Sequence, residues 1–347
     1  MLQQSTYVGL DVSLEQTAVC VLNDAGAVVG RGKCASTPDS IATVLRQHAP
    51  GAVRIGLETG LLSTWLFHEL KARGLPVICI DARHAKAALS LRVNKTDTND
   101  AHGIAQVVRV GWYREVVVKS LDSYTLRAIL SARAHLVAQS VTLANSIRGL
   151  LKVFGLVVRK AKGGRFESLV RAAIAGQPAP VAAIIEPLLA VLIATREQLA
   201  GYERTIRQRA RTDQVARRLM TVPGVGTVVA LAFVSTIEDP QRFRRSSSVG
   251  AYLGLTPRRY QSGGVDRQGR ISRCGDAMLR GYLFEAANVL LRRATRPCRL
   301  HSWGRALIER IGGRKAAVAV ARKLAVLLHG IWRDGTEFRF GDTVAAK

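Results

Sequence analysis

Acidic residues are scarce in this sequence. Only 25 Asp and Glu stand against 51 Lys and Arg in 347 residues, a formal charge of +26 and a pI near 11. Such a surplus repels itself unless a polyanion neutralises it. Nucleic acid is the first expectation, because each phosphate neutralised releases counterions; an anionic membrane surface is the second. Cysteine is sparse too. Cys20, Cys34, Cys79, Cys274 and Cys298 are scattered with no C-x-x-C pair, which argues against a zinc site or a disulfide framework and fits a reduced, cytoplasmic setting. No unbroken run of about 18 apolar residues occurs, so no span of a bilayer is expected. The opening "MLQQSTYVGLDVS" lacks the basic and apolar regions of a secretory signal. Aromatics are few, 5%, yet 48% of residues are apolar, which excludes a disordered chain. The length suits two or three domains with real cores.

What is present changes character along the chain. The first 110 residues alternate strand and helix signals. "TYVGLDV" (6–12), "TAVCVLN" (17–23) and "AVVGRGKC" (27–34) read as a three-strand meander with tight connections. A helix is expected over 37–49, a strand over 53–58, a helix over 62–74 and a strand over 76–81, then a further helix. That order, βββ-α-β-α-β, is the order of a ribonuclease H-like fold. Residues 122–155 read as helix throughout, 156–180 as a basic loop or hinge, and 181–218 as long helices resembling a coiled-coil arm without clean heptads. From 241 to 347 there are 22 Lys and Arg against 7 Asp and Glu. The chain therefore reads as α/β followed by α, with domains at 1–120, 121–217 and 218–347.

With acids so rare, their placement carries information. Asp11 ends the first strand and Glu58 the fourth, and these strands are neighbours in the expected order. Asp97 and Asp100, in "KTDTNDA" (95–101), share one face of a helix, since positions i and i+3 are adjacent. Four converging carboxylates repel one another unless cations intervene. Mg²⁺ prefers carboxylate and water oxygens, and a pair of such ions can clamp both oxygens of a phosphodiester. A plainer reading treats Asp97 and Asp100 as helix-start acids. Sugar kinases and actin-like ATPases also begin with a strand ending in Asp, but follow it with a glycine-bearing phosphate loop; "DVSLEQT" has no glycine.

The second candidate lies in "GLTPRRYQSGGVDRQGRISRCGD" (253–276), where Arg258, Arg259, Arg267, Arg270 and Arg273 crowd a segment read as loop-rich. Guanidiniums bind phosphate bidentately. Ser262 precedes two glycines, which leave its hydroxyl accessible. Two readings stand on the residues: an ordinary turn serine in a phosphate-binding loop, or a nucleophile that attacks phosphorus. Ser272, between Ile271 and Arg273, is a less exposed rival. Upstream, "VPGVG" (222–226) with Gly224 and Gly226 resembles the turn of helix-hairpin-helix modules, whose backbone amides bind DNA phosphates; a simple helix–helix turn is the alternative.

Taken together, the strand-end Asp, "GLETG", "NKTDTNDA", "VPGVG" and "GLTPRRYQSGG…ISRCGD", in this order, resemble the DEDD transposases of bacterial insertion sequences, the bridge-RNA-guided recombinases. The resemblance covers roughly residues 5–330. It implies a RuvC-like N-terminal domain, a helical coiled-coil connector and a C-terminal transposase domain with a serine nucleophile. Asp11, Glu58, Asp97 and Asp100 would be the metal-holding acids and Ser262 the nucleophile. Two Mg²⁺ ions, replaceable by Mn²⁺, are implied as cofactor. Donor and target double-stranded DNA, a noncoding guide RNA and further copies of the chain in a dimer or tetramer are implied as partners, in the bacterial cytoplasm at the nucleoid. The competing expectation is a RuvC-like, metal-dependent nuclease with no covalent intermediate, and a third is a non-catalytic nucleic-acid scaffold.

Overall fold

A computed structural model describes residues 5–83, 86, 96–161, 163–293, 296 and 298–340. The chain divides into two compact units, residues 1–120 and 121–347.

The first unit is a mixed sheet with helices. β1 (Thr6–Val12), β2 (Gln16–Asn23) and β3 (Val28–Ala35) form an antiparallel meander. α1 (Pro38–His48), β4 (Ala52–Glu58), α2 (Ser63–Ala72), β5 (Val77–Ile80) and α3 (Asp97–Val110) follow. The sheet order is β3-β2-β1-β4-β5, with β4 parallel to both β1 and β5. Alternate residues point to opposite faces. Val8, Leu10, Ile55 and Leu57 cover one face and join Ile41 and Leu45 of α1 and Leu66 and Leu70 of α2, all buried. Each such side chain contributes about 1.5–3 kcal/mol. The helix starts obey local chemistry. Thr37 caps α1 by accepting from the Ser40 amide, with Pro38 in the first turn. Thr96 caps α3 by accepting from the Asn99 amide at 3.2 Å, and Gly111, at φ +72°, ends it.

The second unit is mostly helical. α4 (Leu121–Val153) and α6 (Ala179–Thr212) are each about 50 Å long, and α5 (Gly164–Ile174) packs beside them. The expected basic loop at 156–180 thus contains a helix. Phe166, Val170 and Ile174, at four-residue spacing, bury against Ile147 and Leu151 of α4 and Ile185, Leu189 and Leu192 of α6. By length and composition α6 is apolar enough to cross a membrane, but its apolar stripe at Val181, Ile185, Leu189 and Leu192 lies in this cluster. The chain continues through α7 (Gln214–Leu219), α8 (Thr227–Ile237) and α9 (Ser247–Tyr252). Two strands, β6 (Pro257–Ser262) and β7 (Val265–Ile271), come next. α10 (Ala277–Arg293), α11 (Arg299–Ile311) and α12 (Gly313–Asp334) complete it. Leu231, Phe233, Leu283, Leu290, Leu324 and Leu328 form its main core, which also takes in Leu126 and Leu130 of α4 and Ile206 and Ala210 of α6. The two long helices are therefore rooted in that core at one end and packed in the Phe166 cluster at the other.

Within this core His329 is fully buried. Its Nδ1 and Nε2 each lie 2.9 Å from a partner, the Ser246 hydroxyl and the Pro240 carbonyl. The carbonyl only accepts, so Nε2 carries the proton and the hydroxyl donates to Nδ1. Burial, first of all, holds the imidazole below its ordinary titration range.

Candidate functional site

Two clusters of chemistry-bearing residues stand out, one in each unit. In the first, a short pattern occurs twice: Gly9-Leu10-Asp11 on β1 and Gly56-Leu57-Glu58 on β4. Gly9 pairs with Gly56 and Leu10 with Leu57, so the register places Asp11 beside Glu58. The leucines point into the α1/α2 core. The glycines point to the opposite face and let α3 lie directly on the sheet. A Cβ at Gly9 would stand 2.1 Å from the Ala101 carbonyl oxygen and 2.4 Å from the Ala105 nitrogen; one at Gly56 would stand 2.3 Å from Val108 Cγ2. By alternation, Asp11 and Glu58 share the α3 face.

The same row extends further. Asp11 pairs with Ala18 and Ala18 with Lys33, which places Lys33 two strands from Asp11, about 10 Å away. Asp97 lies over that end of the row, with its carboxylate 3.8 Å from the Lys33 amine. Asp100 is half-buried, one turn before Ile104, whose side chain lies over Gly56. All four acids thus occupy the α3 side of the sheet, where β1 and β4 end and α3 begins. Among the described residues, no three His, Cys, Asp or Glu side chains gather closely enough to hold a metal ion. The donor chemistry, hard carboxylate oxygens on one face, suits Mg²⁺; in this conformation Lys33 is the cation beside Asp97.

Two groups on β5 and just beyond it are shifted for local reasons. Burial, with the charges of Glu115 and Glu58, pushes the Cys79 thiol up to about 12. Asp81, just beyond β5, is held at about 2, chiefly by its side-chain hydrogen bonds from Arg83. Ile80 pairs with Glu58, so Asp81 points to the other face and stays outside the row.

The second cluster is the β6–β7 hairpin. Arg258, Arg259, Arg267 and Arg270 lie on a two-stranded ribbon whose register shifts between Pro257 and Arg259, and Arg273 lies just beyond it, where the sequence suggested a loop. Every residue from 257 to 270 is exposed, so no buried face produces an apolar alternation for the sequence to display. Ser262 pairs with Val265 across the two-residue turn Gly263-Gly264, and Gly263 takes φ +54°, as such turns require at the first central position. Ser262 is exposed. Ser272 is half-buried, and its oxygen accepts from the Cys274 amide at 3.4 Å. The pairing sorts the hairpin into two faces. Tyr260 pairs with Arg267, and both share a face with Ser262. On the other face Arg259 is held by Asp266 at 2.9 and 2.7 Å, so its charge is partly satisfied within the ribbon.

The ribbon is exposed but its base is fixed. A Cβ at Gly254 would stand 2.1 Å from the Cys274 carbonyl oxygen, and one at Gly275 2.0 Å from that of Tyr252. Arg273, at φ +55°, stores strain in this crossing. Arg280 donates to the carbonyls of Leu253 at 3.0 Å and Cys274 at 3.4 Å. Asp276 caps α10 through the Leu279 amide and pairs with Arg127, which also donates to Thr236 at 2.8 Å. Sequence reasoning missed Arg127, Asp276 and Arg280 because their partners are distant in the chain.

The two glycines of "VPGVG" separate in role. Gly224 (φ +86°) packs on α10: a Cβ there would stand 2.5 Å from the Ala286 carbonyl oxygen. Its surroundings are backbone rather than an open phosphate site. Gly226 is exposed at the start of α8, with nothing within 4 Å of a Cβ position.

Comparison with known proteins places these clusters in a common setting. Residues 8–155 match the pattern of the IS110-type DEDD transposases, described as transposase. Residues 216–302 match the transposase IS116/IS110/IS902 family. A probable family 20 transposase of Pseudomonas aeruginosa is 32% identical over 278 residues, covering 79% of this chain and 82% of its own. The transposase for insertion sequence element IS1111A of Coxiella burnetii is 28% identical over 345 residues, 96% of this chain and 91% of its own. The transposase for insertion sequence element IS1328 of Yersinia enterocolitica is 28% identical over 257 residues, 72% and 75% of the two chains.

Proposed function

Since the chain belongs to the IS110-type DEDD transposases of insertion sequences, we propose that it cuts and exchanges DNA strands through a covalent phosphoserine link formed by Ser262. The observation that carries this reading is the placement of Ser262: an exposed hydroxyl beside a glycine turn, on the ribbon face that also presents Arg267. In the step, a bond forms between Ser262 Oγ and phosphorus, and a phosphorus–oxygen bond to deoxyribose breaks. The serine gives up its proton and the departing oxygen takes one. Arg267, Arg258, Arg270 and Arg273 hold the phosphate and offset the charge that builds on it. Gly226, at an open helix start, offers a backbone amide to a further phosphate.

The sheet order and the acid row support reading the first unit as ribonuclease H-like, or RuvC-like. Asp11, Glu58, Asp97 and Asp100 would hold Mg²⁺, or Mn²⁺ in its place, and the metal would supply charge stabilisation at the phosphodiester oxygens. Asp97 reaches that role by exchanging its Lys33 partner. The acids hold their positions through the glycine-mediated contact between sheet and α3. Donor and target DNA are the substrates, a noncoding bridge RNA selects the sites, and a dimer or tetramer carries out the exchange in the cytoplasm. The charge of +26 supports polyanion binding of either kind.

A suicide DNA substrate tests the central step. Wild-type protein is expected to give a protease-sensitive protein–DNA adduct that disappears in Ser262→Ala and persists in Ser272→Ala. Cleavage without any adduct, unchanged in Ser262→Ala, would favour the metal-dependent nuclease and end the serine reading.

A further inference from the structure

A cavity of about 330 Å³ opens between α11, α12 and the segment that follows α12. Its walls combine aromatic rings and cations: Trp303, Phe338 and Phe340 with Arg299, Lys323 and Arg339. No acid lines it. The Lys323 amine stands 5.7 Å over the Trp303 ring, and the Arg296 guanidinium stands 4.6 Å over Phe340. Phe338 and Phe340 meet edge to face, 5.1 Å apart. Trp303 and Phe340 keep 38% and 39% of their surface in solvent. Among the described residues, none of these four cations has a carboxylate partner at ion-pair distance.

We infer that this cavity binds one unpaired nucleotide of a nucleic-acid strand, its base against Trp303 and Phe340 and its phosphate on Arg299, Lys323 and Arg339. Flat apolar walls accept a base whatever its sequence, because every base has a π-face. Cations with no carboxylate partner among the described residues call for an anion attached to that ring, which separates a nucleotide from a purely apolar ligand. The concave shape excludes a stacked, paired duplex, so only a base out of its stack enters. This inference rests on the reading that the chain acts on nucleic acid; it does not depend on Ser262 as nucleophile.

The test uses the full chain carrying Ser262→Ala, so that no strand is cut. Fluorescence anisotropy would compare a fully paired DNA duplex, the same duplex with a one-nucleotide bulge, and that bulge made abasic. The expected result is at least about 5-fold tighter binding of the bulge, lost when the base is removed. Adding Trp303→Ala should erase the preference while leaving the paired duplex within about 2-fold, since phosphate contacts dominate duplex affinity, and Trp303→Phe should retain most of it. Matching RNA probes identify which strand type fills the cavity. A preference that survives Trp303→Ala, or an abasic bulge bound as tightly as the intact one, overturns the inference and leaves the DNA-acting reading standing. Failure to bind any of these nucleic acids removes both.

Discussion

The acid row of the first unit and the serine ribbon of the second are fixed in opposite ways. Asp11 and Glu58 sit at the ends of two buried parallel strands, and the helix that starts with Asp97 and Asp100 lies so close that Gly9 and Gly56 have no room for a Cβ. Ser262 sits at the tip of a hairpin in which nothing from 257 to 270 is buried; beyond the ribbon's own pairing and turn, its restraint comes from the base, through Gly254, Gly275, Arg280 and the Arg127–Asp276 pair. Carboxylates that repel one another need a scaffold that packing holds in place. A hydroxyl that must meet a bulky polyanion needs to project, and can be steered from below.

Substitution tests that contrast. Gly9→Val should have the largest effect, because the added atoms meet α3 backbone and not a movable side chain. Overpacking of this kind costs about 1–3 kcal/mol, occasionally more; denaturation should show lost stability, and recombination in cells should vanish. Arg127→Ala removes the partner of a mostly buried Asp276, a loss of about 1–3 kcal/mol. Strand exchange should fall while bulk DNA binding by gel shift persists; an unchanged exchange rate would show that the hairpin base needs no such anchor.

Protonation gives a third handle. His329 is held neutral, with its folded-state pKa below the ordinary value. Its contribution to stability is therefore complete above about pH 6.5 and lost as pH falls below it, at most about 1.4 kcal/mol per pH unit. Urea midpoints at pH 7.5 and 5.5 should differ, and His329→Gln should shrink the difference while lowering stability at pH 7.5. Gly263→Ala should be mildest for the fold. Nothing lies within 4 Å of its Cβ position, but φ is +54°, so the cost is about 1 kcal/mol of backbone strain. Circular dichroism should be unchanged, whereas adduct yield should drop if the turn sets the position of Ser262.

How far the sequence revealed this arrangement varies with the origin of each signal. β1, β2 and β4 announce themselves by apolar, β-branched runs because the sheet buries them, and α4 by an unbroken helical stretch from 121 to 153. β6 and β7 do not, since a ribbon exposed on both faces has no reason to alternate. α5 was hidden behind Gly163, Gly164 and Pro178, which resemble a loop until Phe166, Val170 and Ile174 find α4 and α6. Gly224 illustrates the limit at a single residue: the glycine is visible, but its reason, the Ala286 carbonyl, is 62 positions away. The pairing of Asp97 with Lys33 follows from a cross-strand register that three strands must set together, which no local stretch of sequence displays.

The sequence by itself determined the charge excess, the identity of the few acids, the strand–helix order of the first unit and the helical character of the rest, because these depend on composition and short-range periodicity. Only the tertiary structure decided which face each acid occupies, which arginines of the ribbon are already satisfied, and what holds that ribbon in place. Those outcomes depend on register and on close backbone contacts between segments far apart in the chain, and local sequence carries no record of either.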